Sequence, residues 1–277
     1  MMKTLLDGIG KVEVFTDPFP HVVIRDAFDE QLCDRLIDEF PGISTVTQSQ
    51  QFVSNERYSY PARDVFANLE VSDLWKEFVQ LHTSDRFLGH IGRLFEDHIR
   101  QYHPKFEQLI GKIPALKAGV RKIDDYSTAD VLMDAQICIN APVTETPKPI
   151  KLAHIDRPQV LFVGLYYLRR SDDDSTGGNL EIYRFKSGKP YGFKGQFIDD
   201  RYVECVKTVN YERNVLVLFL NSIHSLHGVT VRSKTNAPRC FVNLIGEVKQ
   251  PLFNYRLYEE QKNLISKFRA KLWDLVT

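Results

Sequence analysis

The chain carries no charge bias. Its 36 lysines and arginines balance 36 aspartates and glutamates, for a formal net charge of zero over 277 residues. Nucleic acid is therefore not expected as a partner, because binding its phosphates needs a basic excess or a basic stripe. Long hydrophobic runs are missing too. The stretch 215–220 is typical of the longest and falls far below the roughly 20 residues of a spanning helix, so no membrane partner is expected. The opening Met-Met-Lys-Thr-Leu-Leu-Asp meets an acid before an apolar signal core can form, which argues against an export signal. Cysteine is scarce: Cys33, Cys138, Cys205 and Cys240 are scattered without CxxC spacing. They read as reduced, buried thiols in a cytoplasmic protein and not as a disulfide or zinc framework. No glycine-rich loop joins a strand to a helix, and no Ser-His-Asp elbow is present, so neither a phosphate cradle nor an acyl-transfer triad is written here.

What is present divides into two regimes. Hydrophobic residues make up 43% of the chain, enough for a substantial core. Two short strands are expected at 12–16 and 21–25. A helix follows Asp29 as N-cap, with Leu32, Cys33, Leu36, Ile37 and Phe40 on one face and Pro41 closing it. From 72 to 113 apolar residues recur at threes and fours, the period of amphipathic helices. Residues 42–65 between them show no period and read as a long, functional loop such as a lid. From 131 onward the period becomes two and β-branched and aromatic residues dominate. Strands are expected at 131–140, 150–155, 159–168, 179–184, 202–208, 214–220, 227–232 and 239–247, without helical crossovers. Eight such strands imply a double-sheet jelly roll or barrel. Residues 256–276 repeat Leu257, Leu264, Ile265, Phe268, Leu272 and Leu275 on one helical face, with Trp273 beside them.

One constellation carries chemistry. In His154-Ile155-Asp156 an imidazole and a carboxylate stand two apart in a strand-like setting, where i and i+2 share a face. A second histidine from another strand would complete a face of two histidines and one carboxylate, a geometry diagnostic of non-haem Fe(II) oxygenases. His227 and His224 both offer themselves, His227 being favoured by its His-Gly-Val context. A cation is then expected for the far end of a cosubstrate. Arg239 opens the last strand twelve residues past His227, and Arg232 is its rival; a guanidinium grips a carboxylate through two parallel hydrogen bonds. Gln136 and Asn140 share one face of strand 131–140 and contact cosubstrate or substrate, or else form a solvated face. Arg157 either holds an anionic group or pairs with an acid on the rim. His21, His82, His90, His98 and His103 show no ligand spacing.

These stretches resemble the Fe(II)/2-oxoglutarate-dependent oxygenases, in particular the prolyl-4-hydroxylase-like branch. The matching pieces are HIDRP (154–158), LYYLR (165–169), GGNLEIY (177–183), HGV (227–229) and Arg239 at the start of the last strand. The resemblance implies a double-stranded β-helix (jelly-roll, cupin-like) core with N-terminal helices outside it and a C-terminal helix. It implies Fe(II) held by His154, Asp156 and His227, and 2-oxoglutarate anchored by Arg239 with help from the Tyr167 hydroxyl. It also implies O2 as the second cosubstrate, with succinate and CO2 as products. The turn between His227 and Arg239 is longer than in the prolyl hydroxylases. A carboxylate at 156, where halogenases have a small residue, implies hydroxylation over halogenation, while desaturation and epimerisation use the same ligands.

The expected organisation is a single domain: a helical portion over 1–130, the catalytic core over 131–247 and the closing helix over 248–277. A polar or anionic small molecule is the expected substrate, from the basic and aromatic segment 186–201 with Lys189 and Lys194; the alternatives are a protein (prolyl-type) side chain, or a jelly-roll metal-binding module without oxygenase activity. A homodimer is compatible with the sequence.

Overall fold

The computed structural model describes residues 2–7, 12–49, 51–148 and 151–259. Its helical layer follows the capping signals. Asp29 Oδ1 accepts from Leu32 N at 2.9 Å to start α1 (Glu30–Asp38). After α2 (Ile43–Thr47) and α3 (Ala62–Ala67), Ser72 and Ser84 cap α4 (Asp73–His82) and α5 (Asp85–Tyr102), and a short α6 (Phe106–Leu109) follows. The apolar faces of α4 and α5, with Trp75, Phe78, Phe87, Ile91, Phe95 and Ile99, are fully buried.

The strands are β1 (His21–Arg25), β2 (Arg57–Tyr60), β3 (Ala118–Val120), β4 (Val131–Asn140), β5 (Lys151–His154), β6 (Val160–Tyr167), β7 (Leu180–Phe185), β8 (Phe193–Lys194), β9 (Phe197–Ile198), β10 (Val203–Val209), β11 (Val215–Leu220), β12 (His227–Val229) and β13 (Arg239–Val248). A seven-stranded sheet runs β1-β11-β6-β13-β4-β2, with β3 parallel to β4, and a six-stranded sheet runs β10-β7-β12-β5-β9-β8. The chain passes back and forth between the sheets from β4 to β13, which makes the core a jelly roll. The expected fold class is therefore the observed one.

Both faces of the larger sheet are covered, so its strands read as nearly unbroken apolar runs. On β4 and β13, Val131, Met133, Ala135, Ile137, Ile139, Val242, Leu244 and Val248 pack outward against the helices. Cys138, Phe241 and Ile245 face inward with Val163, Leu165, Tyr167, Val217 and Phe219, toward Leu180 and Ile182 of the other sheet. Each fully buried large apolar side chain contributes roughly 1.5–3 kcal/mol.

Several expectations need correction. Residues 12–16 form no strand: Phe15 makes only an isolated bridge to His21, because the turn through Pro18 and Pro20 leaves them no ladder partner. The stretch 42–65 is not a long loop, since α2, β2 and the start of α3 lie within it. β2, Arg-Tyr-Ser-Tyr, shows no hydrophobic alternation and is a strand because it pairs with the β4 edge. β12 stops at Val229 and not at 232, and a register shift against β5 already falls between His227 and Val229. Cys205 is exposed, while the other three cysteines are buried and all four are free thiols. Of the closing helix, only a 3-10 turn at Tyr255–Tyr258 falls within the described residues; 260–277, with Trp273, lie outside them. Among the described residues no helix is long and apolar enough to cross a membrane.

Candidate metal centre

Backbone pairing assembles three ligand groups. His154 closes β5 and stands directly opposite His227, the first residue of β12. Their rings lie 4.2 Å apart, centre to centre. Asp156 is not in the strand with His154, as alternation alone suggested, but two residues past it in the following turn. Two clamps hold that turn. Ile155 exchanges hydrogen bonds with Gln196, its N–H donating to the Gln196 carbonyl (2.9 Å) and its carbonyl accepting from Gln196 Nε2 (3.1 Å). Asn221 Nδ2 donates to the carbonyls of Arg157 (3.0 Å) and Val160 (2.9 Å). Asp156 Oδ2 thereby reaches 3.4 Å from His227 Nε2. One ligand atom from each of His154, Asp156 and His227 lies within 4.8 Å of the others.

The main chain also sets the histidine tautomers. His154 Nδ1 contacts the Leu152 carbonyl at 2.8 Å and His227 Nδ1 the Ser225 carbonyl at 2.9 Å. A carbonyl only accepts, so each Nδ1 carries a proton and Nε2 is the nitrogen left for a ligand, the usual outer support of a metal-binding imidazole. Two nitrogens and one carboxylate oxygen form the donor set of a facial triad, which suits Fe(II). His224 is excluded as an alternative: its ring packs between Tyr102 and Phe185, away from the triad.

A cavity of about 330 Å³ runs from this triad along the inner face of β13, past Arg239, Phe241, Asn243, Ile245 and Glu247. That volume is at the small-molecule end of the range for binding sites. At one end the buried Arg239 donates through Nε to the Gly178 carbonyl (2.9 Å) and through Nη1 to Asn140 Oδ1 (3.3 Å). Its guanidinium lies against the rings of Tyr167, Tyr211 and Phe241 at 4.7–5.0 Å. Arg239 Nη2, Tyr167 Oη and Asn140 Nδ2 are buried without a hydrogen-bond partner. Buried donors rarely go unpaired, and three at one spot form a ready receptor for an anion. Burial pushes the Tyr167 phenol up, against the opposing pull of Arg239, so its hydroxyl keeps its proton.

The Gly177-Gly178 pair is what allows this mounting. Both glycines have positive φ, +77° and +70°, and a Cβ on Gly177 would come within 1.9 Å of the Val231 carbonyl oxygen. Arg232, the rival anchor, is also fully buried, but Asp173 binds it at 3.1 Å with Ser175 Oγ at 2.9 Å and the Ala237 carbonyl at 2.7 Å. Its charge is neutralised inside the protein.

Gln136 does not line the cavity. It stands behind Asn243, its cross-strand partner, accepting from Asn243 Nδ2 at 3.0 Å and donating to Asp134 Oδ2 at 3.0 Å. Asp134 also takes the Ala62 N–H (2.9 Å) and pairs with Arg121 (3.5 Å). Asn140 is on the wall, the first of the two alternatives that the sequence leaves open. Arg157 pairs with Glu247 at the rim. Of the segment 186–201, Gln196 reaches the wall, whereas Lys189 and Lys194 do not. Arg57, Asn243 and Gln196 are wall residues that the sequence reading missed. Strand alternation could have raised Asn243, which shares a face with Arg239; only pairing reveals the other two.

No protein-family model matches the sequence, and no curated protein sequence matches it. Solved structures do. A prolyl 4-hydroxylase from Phytophthora capsici aligns with a TM-score of 0.46 at 17% identity, over 92% of this chain and 68% of that one. A putative oxygenase from Shewanella oneidensis aligns with 0.45 at 14%, over 93% and 90%. The Fe(II)/α-ketoglutarate-dependent dioxygenase TqaL aligns with 0.46 at 12%, over 88% of each chain.

Proposed function

We propose that this protein is an Fe(II)- and 2-oxoglutarate-dependent oxygenase that hydroxylates a C–H bond of a polar small molecule. The observation that carries this reading is the meeting of His154, Asp156 and His227 around one point, at the wall of a cavity whose far end holds unpaired buried donors. In this reading His154, Asp156 and His227 hold the iron. Arg239, Tyr167 and Asn140 seat the distal carboxylate of 2-oxoglutarate. Together the bound metal and cosubstrate supply the oxidising chemistry, with O2, 2-oxoglutarate and the C–H substrate giving succinate, CO2 and the alcohol.

The chain's own share is positioning and exclusion. The Leu152 and Ser225 carbonyls fix the imidazoles, and the Gln196 and Asn221 clamps fix the turn that carries Asp156. Val163, Leu165, Leu180, Phe241 and Ile245 line the space between the two polar ends and keep it poor in water. The test is Fe(II)-dependent conversion of 2-oxoglutarate to succinate. His154→Ala, Asp156→Ala and His227→Ala should each abolish it, and His224→Ala should leave it intact. Succinate formation that survives all three ligand substitutions would refute the reading.

A further inference from the structure

The cavity contains a second guanidinium that the jelly-roll core does not supply. Arg57 belongs to β2, the strand that the N-terminal portion adds to the edge of the larger sheet. It stands opposite Asn140, which in turn stands opposite Arg239. Residues directly opposed in an antiparallel pair project from the same face, so Arg57, Asn140 and Arg239 form a row across three strands. That row faces the interior. Although the Arg57 residue is exposed overall, its head turns inward: Nη2 lies 3.7 Å from the Sγ of buried Cys138, and Cζ lies 5.3 Å from the centre of the Phe241 ring. Arg239 Cζ lies 4.7 Å from the centre of that same ring.

Among the described residues Arg57 and Arg239 form no ion pair, whereas Arg157, also on the wall, is matched by Glu247. Two guanidinium groups sharing one ring in a partly enclosed space repel each other, and an anion placed between them relieves that repulsion. Asn140, between the two, has its oxygen taken by Arg239 and its amide nitrogen unpartnered, so it adds a donor and no competing acceptor.

We propose that Arg57 is a second anion-binding residue of the cosubstrate pocket, lent by the N-terminal portion to the core, and that it acts with Arg239 on the distal carboxylate. This rests on the 2-oxoglutarate reading given above. Calorimetric titration of the full-length, Mn(II)-loaded protein tests it, with 2-oxoglutarate and with 2-oxobutyrate, which lacks the distal carboxylate. Arg57→Gln should weaken 2-oxoglutarate about tenfold or more, the loss expected for one charge-assisted hydrogen bond, and change 2-oxobutyrate less than about threefold. Arg57→Lys should recover part of the affinity. Arg63→Gln, at an exposed arginine paired with Asp64 in the same segment, should bind like the wild type. Amide exchange over Arg57–Tyr60 should slow when 2-oxoglutarate binds the wild type but not Arg57→Gln. Binding by Arg57→Gln within twofold of the wild type, or equal losses for both ligands, overturns the proposal alone. A wild-type protein that binds no 2-oxoglutarate overturns the cosubstrate reading, and the proposal with it.

Discussion

Both faces of the larger sheet are buried, yet His82 on one and the Arg239 cluster on the other meet their surroundings differently. In the helical layer over the outer face, His82 is enclosed by the rings of Phe28, Phe78 and Phe87. Both of its nitrogens are engaged, Nδ1 with the Phe78 carbonyl (2.7 Å) and Nε2 with the Leu5 N–H (2.9 Å). On the inner face, Arg239, Tyr167 and Asn140 each keep a buried donor unpaired. Arg232 and Arg239 differ within one connection: each is buried and keeps one nitrogen unpaired, but among the described residues only Arg232 has a carboxylate partner. Depth therefore does not distinguish a structural polar group from one poised for a ligand. The partners do.

The contrast can be broken most forcefully at Arg232. Arg232→Met strands the buried Asp173 carboxylate and should cost about 3–5 kcal/mol in urea unfolding. His82 comes next, through pH. Burial lowers its pKa from 6.5 to about 4, so between those values the unfolded chain takes up a proton that the folded one refuses. Stability is then lost as pH falls from 6.5 toward 4, by about 3 kcal/mol from this group. Replacing it with a group that does not titrate, His82→Gln, should flatten that limb of the urea-midpoint profile. Arg239→Met leaves no charge behind and should cost only about 1–2 kcal/mol, for the carbonyls it abandons. Its main effect should be on 2-oxoglutarate affinity, which falls at least a hundredfold in calorimetry. Equal destabilisation by Arg232→Met and Arg239→Met would erase the distinction. The smallest effect is expected of Gly178→Ala: about 1 kcal/mol for a side chain at φ +70°, and a few-fold weaker cosubstrate binding, because its Cβ would lie 3.2 Å from Arg239 Cδ and Nε. Unchanged 2-oxoglutarate affinity in that variant would mean that Arg239 is not mounted on Gly178.

Much of this architecture was legible beforehand because strands and helices bury different periods. The eight core strands announced themselves through β-branched runs, and His154, Asp156, His227 and Arg239 were singled out by their order along the chain and by the family resemblance. What stayed hidden depends on pairing. Nothing in Arg-Tyr-Ser-Tyr marks β2 as a strand, so Arg57 was read as part of a loop. Gln136 and Asn140 were rightly assigned to one face, but alternation reports a side and not a depth, and Asn243 screens Gln136 from the cavity. Choosing between Arg232 and Arg239 needs Asp173, which is distant in sequence from both. Residues 12–16 alternate like a strand and lack only a neighbour to pair with.

Burial pushes the Asp134 carboxyl up, but the Ala62 N–H, the Arg121 guanidinium and the Gln136 amide all donate to its two oxygens, so it accepts on every side. Gln136 must therefore show it the nitrogen end of its amide and turn the oxygen end to Asn243, whose own nitrogen is thereby committed backward and whose oxygen is left for the cavity. A single carboxyl group, hidden two side chains behind the wall, thus dictates the wall's chemical sign at that point: any guest seated there is met by a lone pair and must answer with hydrogen.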